Sequence, residues 1–390
     1  MVNRTVVSER AQEVKPFQVM VLLSEAQKRQ ASGRDVIHLE VGEPDFPTPD
    51  PMIEAGMRAL QERKTRYTPA LGLPELRERV AQYYADRFGV VVSPRRIALA
   101  PGASGALLLL TAARLNPSDT LMLADPGYPC NRHFARVFEA HGQLVPCGAN
   151  QAWQLTPNDL VSNWTDSTKA VLVASPANPT GTVLGPDQLR GLYEQASHLG
   201  GELWVDEIYQ GLNFSSDAHT VLSVADQAVV LNSFSKYFGM TGWRLGWAVI
   251  SEALEDSVDT LAQNLFLAPS TPAQYAAMAA FEPATLEILE QRREILRRRR
   301  EYLVPALRQL GFEVPVSPDG GLYVYADARR FTEDSMAFCL QALRETDVAF
   351  TPGLDFGHYL ANTHVRFAFT EELPRLEQAM ERLSDWLSKQ

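Results

Sequence analysis

The chain has 390 residues, 45% of them hydrophobic and 21% charged, with a formal net charge of -11. That length can bury two closely packed domains with a cleft between them, while the acidic balance disfavours nucleic acid as a partner. Nothing reaches the ~18 consecutive apolar residues of a membrane span, and the opening MVNRTVVSERAQEVKP lacks a secretory apolar core, so a cytoplasmic protein with no membrane partner is expected.

In chain order, residues 1–48, which include VIHLEVGEPDFPTPD, are too short to fold alone and are expected to complete a domain formed elsewhere. Between residues 96 and 250 short apolar runs recur, each followed by a turn: RIALAPG, TLMLADPG, QLVPCG, KAVLVASP, ELWVDEIY, AVVLNSFSK and RLGWAVI. Runs this short and this apolar predict strands buried on both faces, hence a mainly parallel sheet between helices, a doubly wound α/β domain. Polar residues follow these runs: PANPTG after VLVAS, Asp206 and Glu207 after LWV, NSFSK after VVL. Ligands of open α/β sheets sit outside the carboxyl ends of the strands, so the site is expected at that edge. Cys130, Cys147 and Cys339 are odd in number and lack C-x-x-C spacing, which indicates neither a disulfide framework nor a metal site.

From ILEQRREILRRRREYLVPALRQLGF, which begins at residue 288, the pattern predicts one long helix. Within it RREILRRRREYL, residues 292–303, is strongly basic. Ile295, Leu296, Leu303 and Leu307 form an apolar stripe, so the arginines are expected to be a solvated helix face rather than a nucleic-acid patch. Strands in FEVPVSPDGGLYVYAD, VAFTPG and HVRFAFT then predict a smaller α+β domain. The expected division is 49–289 for the large domain, with 1–48 and 290–390 forming the small one.

Lys236, in NSFSKYFGMTGWRLGW, carries the first chemical signal. A loop lysine is ordinarily a solvated charge. Here Ser233, Ser235 and Arg244, with glycines at 239, 242 and 246, make a phosphate cup, since arginine offers a fork of donors and glycine admits close backbone approach. An amine beside a bound phosphate suggests covalent attachment of a phosphorylated aldehyde. APGASGALLLL supplies a second anion element: a strand, a turn and a helix whose first free amides lie near Ala103, Ser104 and Gly105. It is not G-x-G-x-x-G, has no G-K-[ST], and carries Ala106 where a nucleophile elbow on Ser104 needs glycine.

Asp206 ends an apolar strand, where a carboxylate is costly unless paired. A pyridinium N–H would serve and would make the ring an electron sink; a capped structural aspartate is the alternative. Asn178 and Tyr209 can both donate to a ring oxygen. The N-P-T-G turn predicts a cis Asn178–Pro179 bond. Arg366, on an apolar strand, needs an anionic partner, either a ligand carboxylate or a structural ion pair.

Taken together, LEVGEPDFPTP, RYTPALGLPELRERVAQYY, PGASGAL, DPGYP, SPANPTG, VDEIY, SFSK and RFAF resemble, in order and along almost the whole chain, the class I/II pyridoxal-phosphate aminotransferases of fold type I. The resemblance implies an aspartate-aminotransferase-like fold and pyridoxal 5'-phosphate as cofactor. It implies Lys236 as covalent anchor and proton shuttle, Asp206 at the pyridine nitrogen, and Asn178 and Tyr209 at the phenolic oxygen. Ser233, Ser235, Arg244 and the Ala103 and Ser104 amides would hold phosphate. Tyr128 would stack on the ring, and Tyr67 would reach the phosphate of a partner subunit in a homodimer with shared sites. Arg366 would grip the substrate α-carboxylate under the Gly42 backbone, with Asn178 beside it.

The resemblance further implies an amino acid and a 2-oxo acid as substrates. Dicarboxylate-specific relatives often contribute a second arginine from the neighbouring subunit, in the segment between the lysine and the next helix, and LAQNLFLAPSTPAQYAA has none. A neutral, apolar or aromatic amino acid is therefore expected. Selectivity is expected around residues 264–270 and 354–358, where PGLDFGHY places Leu354, Asp355 and His358, the last of these a surface residue. β-Elimination or other α-carbon chemistry on the same scaffold is the alternative. A regulator's effector domain is remote, because no basic DNA-binding module precedes Gly42.

Overall fold

The computed structural model describes residues 7–214 and 218–389, so part of the opening stretch read above lies outside the described residues. The strands in chain order are β1 (Ile37–His38), β2 (Ile97–Ala100), β3 (Thr120–Asp125), β4 (His141–Pro146), β5 (Thr168–Ala174), β6 (Glu202–Asp206), β7 (Val229–Ser233), β8 (Gly246–Val249), β9 (Tyr323–Asp327), β10 (Val348–Ala349), β11 (Thr351–Pro352) and β12 (His364–Ala368). Every apolar run singled out between residues 96 and 250 is a strand. They form one seven-stranded sheet of order β2-β8-β7-β6-β5-β3-β4. Its pairs are parallel from β7 through β6, β5 and β3 to β4, and β8 alone runs antiparallel to both neighbours.

The apolar composition of these strands follows from cover on both faces. Val171, Val173, Leu203, Val205 and Val230 enter one core cluster, and their sequence neighbours Leu172, Trp204 and Leu231 enter the other, as a two-residue period requires. Burying each such side chain contributes roughly 1.5–3 kcal/mol. With both faces dry, polar side chains have room only at the strand ends.

A three-stranded antiparallel sheet, β11-β12-β9, carries the C-terminal part, and β1 pairs in parallel with β10, Ile37 opposite Val348. This pairing lays residues 37–42 beside the C-terminal segment. The helix Pro283–Leu310 begins with proline in its first turn and ends at Gly311, φ 98°. Leu289, Leu296, Leu303, Val304 and Leu307 are its buried apolar side. Ile295, expected in that stripe, is 40% exposed, because the spacing from Leu289 through Leu296 to Leu303 sets the inward face and position 295 lies about 100° around from it. The arginines also depart from a purely solvated face. Arg299 is buried, ion-paired to Asp45 at 2.7 Å and donating to the Thr370 carbonyl at 2.6 Å, and Arg292 donates to the Pro47 carbonyl at 2.7 Å. The chain at residues 45–47 crosses the helix there and takes up its donors.

Candidate active site

Ala174 at the end of β5 lies opposite Asp206 at the end of β6, which lies opposite Leu231 of β7. The segments leaving these strands, 175–178 and 232–236, therefore emerge at one edge. The turn after β2 and the DPGYP segment after β3 meet them across a cleft of about 360 Å³. Asn178, Asp206, Tyr209 and Lys236 line it from the sheet side; Ala103, Ser104 and Tyr128 line it beside them; Gly42 and Arg366 close the far side. The Asn178–Pro179 bond is cis, as are Asp125–Pro126 and Ser175–Pro176.

Asp206 makes no ion pair among the described residues. Burial pushes its pKa up to about 6, with the Ile208 amide at 3.1 Å and the Lys236 ammonium pulling the other way. Among the described residues no cationic side chain pairs with it, so it can be charged at neutral pH at low cost only against a donor brought by a ligand. The Lys236 amine donates to the Gly42 carbonyl at 2.9 Å.

The anion end is built around the helix Gly102–Arg114. Its N-cap is Pro101, which offers no capping side chain, so no side chain satisfies the first amides of that helix. Arg244 sits over them in the left-handed region, φ 54°, at a cost of roughly 1–2 kcal/mol for a residue with a Cβ. A Cβ on Gly102 would lie 2.7 Å from its Nη2, and one on Gly246 2.7 Å from the Ala103 nitrogen. The approach exists because both positions are glycine. Arg244 is exposed and donates to the Thr241 carbonyl at 2.9 Å, and no carboxylate pairs with it among the described residues. A guanidinium held over an uncapped helix start by a strained backbone is an arrangement suited to an anion. Ser233 does not line the cleft. Its hydroxyl is taken up within the loop, accepting the Ser235 amide at 3.0 Å and reaching the Leu245 carbonyl at 3.1 Å. Ser235, 2.9 Å from it, lies beside Lys236 and Thr241 in a small adjoining pocket.

Arg366 is 6% exposed and its partners are neutral: Asn178 Oδ1 at 2.9 Å, the Glu40 carbonyl at 2.6 Å and Thr351 Oγ1 at 3.1 Å. Its Nε has no partner among the described residues. The guanidinium lies 4.0 Å from the centre of the Tyr323 ring and 4.8 Å from that of Phe356. A structural ion pair is thus not its role among the described residues, and a ligand carboxylate would complete it. Accepting from Arg366 also leaves Asn178 Nδ2 as a donor.

The sequence singled out neither Tyr323 nor Glu40. The Tyr323 hydroxyl meets that of Tyr209 at 3.0 Å, and a Cβ on Gly42 would fall 1.6 Å from it, so Gly42 is glycine to admit this ring. Glu40 is fully buried, with Oε1 2.7 Å from His38 Nδ1 and Oε2 unpartnered among the described residues. Tyr323 lay in GGLYVY, where alternation spoke only for a strand. Tyr67 does not reach the cleft of its own chain; it is 82% exposed. At the side-chain end, residues 264–270 do not line the cleft of their own chain, as a segment expected to serve a partner's site need not, and Leu354 does not line it either. His358 is exposed, as expected, its backbone amide held by Asp125 at 2.9 Å. Asp355 does line it, together with Phe17, Val19, Met20 and Leu23 of an N-terminal segment that bears no motif.

The described groups therefore gather in one cleft uncapped amides under a guanidinium at the Gly102 turn, a buried carboxyl at Asp206, an amine at Lys236 and a guanidinium with neutral partners at Arg366. Comparison with known proteins points the same way. The family described as aminotransferase class I and II matches residues 34–383. A valine–pyruvate aminotransferase of Mycobacterium tuberculosis is 36% identical over 97% of this chain and 97% of its own length. An aspartate aminotransferase of Thermotoga maritima is 32% identical over 98% and 99%. A crystal structure of an aminotransferase from Mycobacterium tuberculosis superposes with a TM-score of 0.95 at 36% identity, covering 99% of this chain and 100% of that one.

Proposed function

The chain belongs to the class I and II aminotransferases, which depend on pyridoxal 5'-phosphate, and from that premise we propose that it prefers a neutral, apolar or aromatic L-amino acid to a dicarboxylic one as amino donor to a 2-oxo acid. The lining of the cleft carries this reading. Its cations are Lys236 and Arg366, both with work at the α-carbon end, while Phe17, Val19, Met20, Leu23 and Phe356 supply apolar surface. Among the described lining residues, a distal carboxylate would meet the acidic Asp355 and no guanidinium besides Arg366. The name of the valine–pyruvate relative speaks for a neutral substrate and that of the aspartate relatives against it; the lining favours the former.

The fit of the coenzyme rests on the unmet charges at Asp206, Arg244 and the Gly102 turn. When bound, pyridoxal 5'-phosphate supplies an electron sink for the α-carbon and carries the amino group between substrates. In this reading Ala103, Ser104, Ser235 and Arg244 hold the phosphate, Ser233 orders the loop beneath them, and Tyr128 covers the ring face. Asp206, charged against the ring N–H, keeps that proton in place. Asn178 and Tyr209 donate to the ring oxygen, with Tyr323 fixing the Tyr209 hydroxyl. Arg366 orients the substrate through its carboxylate, so that the α-proton faces the Lys236 amine, which removes and returns it.

Tyr67, Leu265 and Leu267 leave large side chains in solvent, and residues 66 and 271 adjoin through the Thr271 hydroxyl and the Arg66 carbonyl at 2.8 Å. This exposed apolar edge supports a homodimer in which Tyr67 reaches the partner's phosphate. The division into 49–289 and 1–48 with 290–390 is supported by the separation of the seven-stranded sheet from the sheets of β1 and β9–β12. No helix of the described residues is long and apolar enough to cross a membrane, which accords with a cytoplasmic setting.

The test is the change in coenzyme absorbance on adding single amino acids to the purified enzyme without an acceptor. Leucine, valine and phenylalanine are expected to convert it with higher kcat/KM than aspartate. A preference for aspartate would overturn the substrate reading, and catalytic release of ammonia and pyruvate from a cysteine conjugate, its thiol leaving from the β-carbon, without a 2-oxo acid would overturn transfer.

A further inference from the structure

We propose that Asp355 is a specificity-determining residue that acts by position: its carboxylate latches the first turn of the Gln18–Ala31 helix over the cleft and so sets the wall that meets the substrate side chain. This deepens the reading of an apolar substrate and rests on it for the choice of probes. The Gln18 amide donates to Asp355 Oδ1 at 2.6 Å and the Val19 amide to Oδ2 at 2.8 Å. These are the first free amides of a helix whose N-cap is Phe17, which has no capping side chain, so a carboxylate from a distant part of the chain takes the place of a local cap.

The latch is itself anchored. The Asp125 carboxylate, at the end of β3, accepts the His358 and Tyr359 amides at 2.9 and 3.1 Å, and the Gly127 amide donates to the Phe356 carbonyl at 2.9 Å. The loop bearing Asp355 is therefore tied to the sheet edge that bears the chemistry. On the helix, Leu22 and Ala26 are the buried residues, while Val19, Met20 and Leu23, with Phe17 ahead of them, face the cleft. Phe17 stands 6.4 Å from the Tyr128 ring, centre to centre. Two charge-assisted hydrogen bonds thus decide where this apolar wall stands relative to Lys236 and Arg366.

Asp355→Ala removes both acceptors. Asp355→Asn keeps one oxygen and turns an N–H toward the second amide, so it retains volume but loses half of the latch. In the holoenzyme, Asp355→Ala is expected to lower kcat/KM for leucine about tenfold, mainly through KM, as loss of a buried charged hydrogen-bond pair allows. The loss for alanine, whose methyl ends short of the wall, is expected to be clearly smaller, and Asn should fall between wild type and Ala. Equal losses for both substrates would overturn the proposal. Hydrogen exchange is the independent arm. Amides 18–23 should exchange faster in both variants while 229–236 keep their protection, and unchanged exchange at 18–23 would overturn the latch whatever the substrate. A wild type that prefers aspartate would sink the substrate reading alone and leave the exchange result to decide the latch.

Discussion

The floor of the cleft and its wall are held in different ways. On the floor, Asp206, Asn178 and Lys236 stand at or just after the ends of adjacent strands in a sheet buried on both faces. The wall is one helix with two buried residues, pinned at its first turn by a carboxylate 336 and 337 residues away. Displacing a floor residue means deforming close-packed core, whereas displacing the wall means breaking a few hydrogen bonds. The group that does chemistry is thus fixed, and the surface that chooses the substrate is adjustable.

The largest effects should come from the floor. Lys236→Ala is expected to lower kcat by about 10⁴-fold, the upper range for loss of an acid–base group, read as loss of coenzyme conversion by amino acid. Arg366→Ala should cost about 100-fold or more in kcat/KM for every amino acid alike, as removal of one partner of a buried charge pair does, with Arg366→Lys recovering a minor part. Uniformity across side chains is the sharp part, since a selective loss would place Arg366 on the wall instead.

The floor's rigidity has its own test in Glu207. This residue is buried, its Oε1 accepts from Thr220 at 3.0 Å and the Val221 amide at 2.7 Å, Oε2 has no partner among the described residues, and burial pushes its pKa up to about 8. The folded chain keeps that proton up to pH about 8 while the unfolded chain releases it near 4.5, so stability falls as pH rises through this window and is flat above it. Glu207→Gln cannot ionise. Its Tm should match wild type near about pH 5 and exceed it increasingly up to about pH 8; parallel Tm profiles would show that the acid is not protonated. The smallest effect belongs to the wall. Met20→Ala should lower kcat/KM for leucine by about fivefold, the scale of one lost apolar contact, and leave aspartate nearly unchanged.

The same contrast explains what could be read in the sequence. The strands between residues 96 and 250, their polar exits, and the candidates Lys236, Asp206, Asn178 and Arg366 were legible because each is announced by a few contiguous residues. Tyr323 was not, since its relation to Tyr209 and Gly42 exists only once β9 meets the segments that follow β5 and β6. Phe17, Val19, Met20 and Leu23 carry no motif, and Asp355 needs the partner amides of residues 18 and 19 to acquire meaning. The arginines of residues 292–303 misled for a related reason: helical spacing says which side faces out, but not that the chain at Asp45 and Pro47 will cross it.

The contact between Gly357 and Asp125 has a consequence for how such a protein can vary. A Cβ on Gly357 would fall 1.8 Å from Asp125 Oδ1, and that carboxylate already holds the next two amides. Neither position can change alone without freeing the loop, so the two are bound to mutate together or not at all. Val19, Met20 and Leu23 carry no such mutual obligation. Descendants of this chain can exchange them one at a time and wander among amino acids, while the loop that presents the wall is inherited intact.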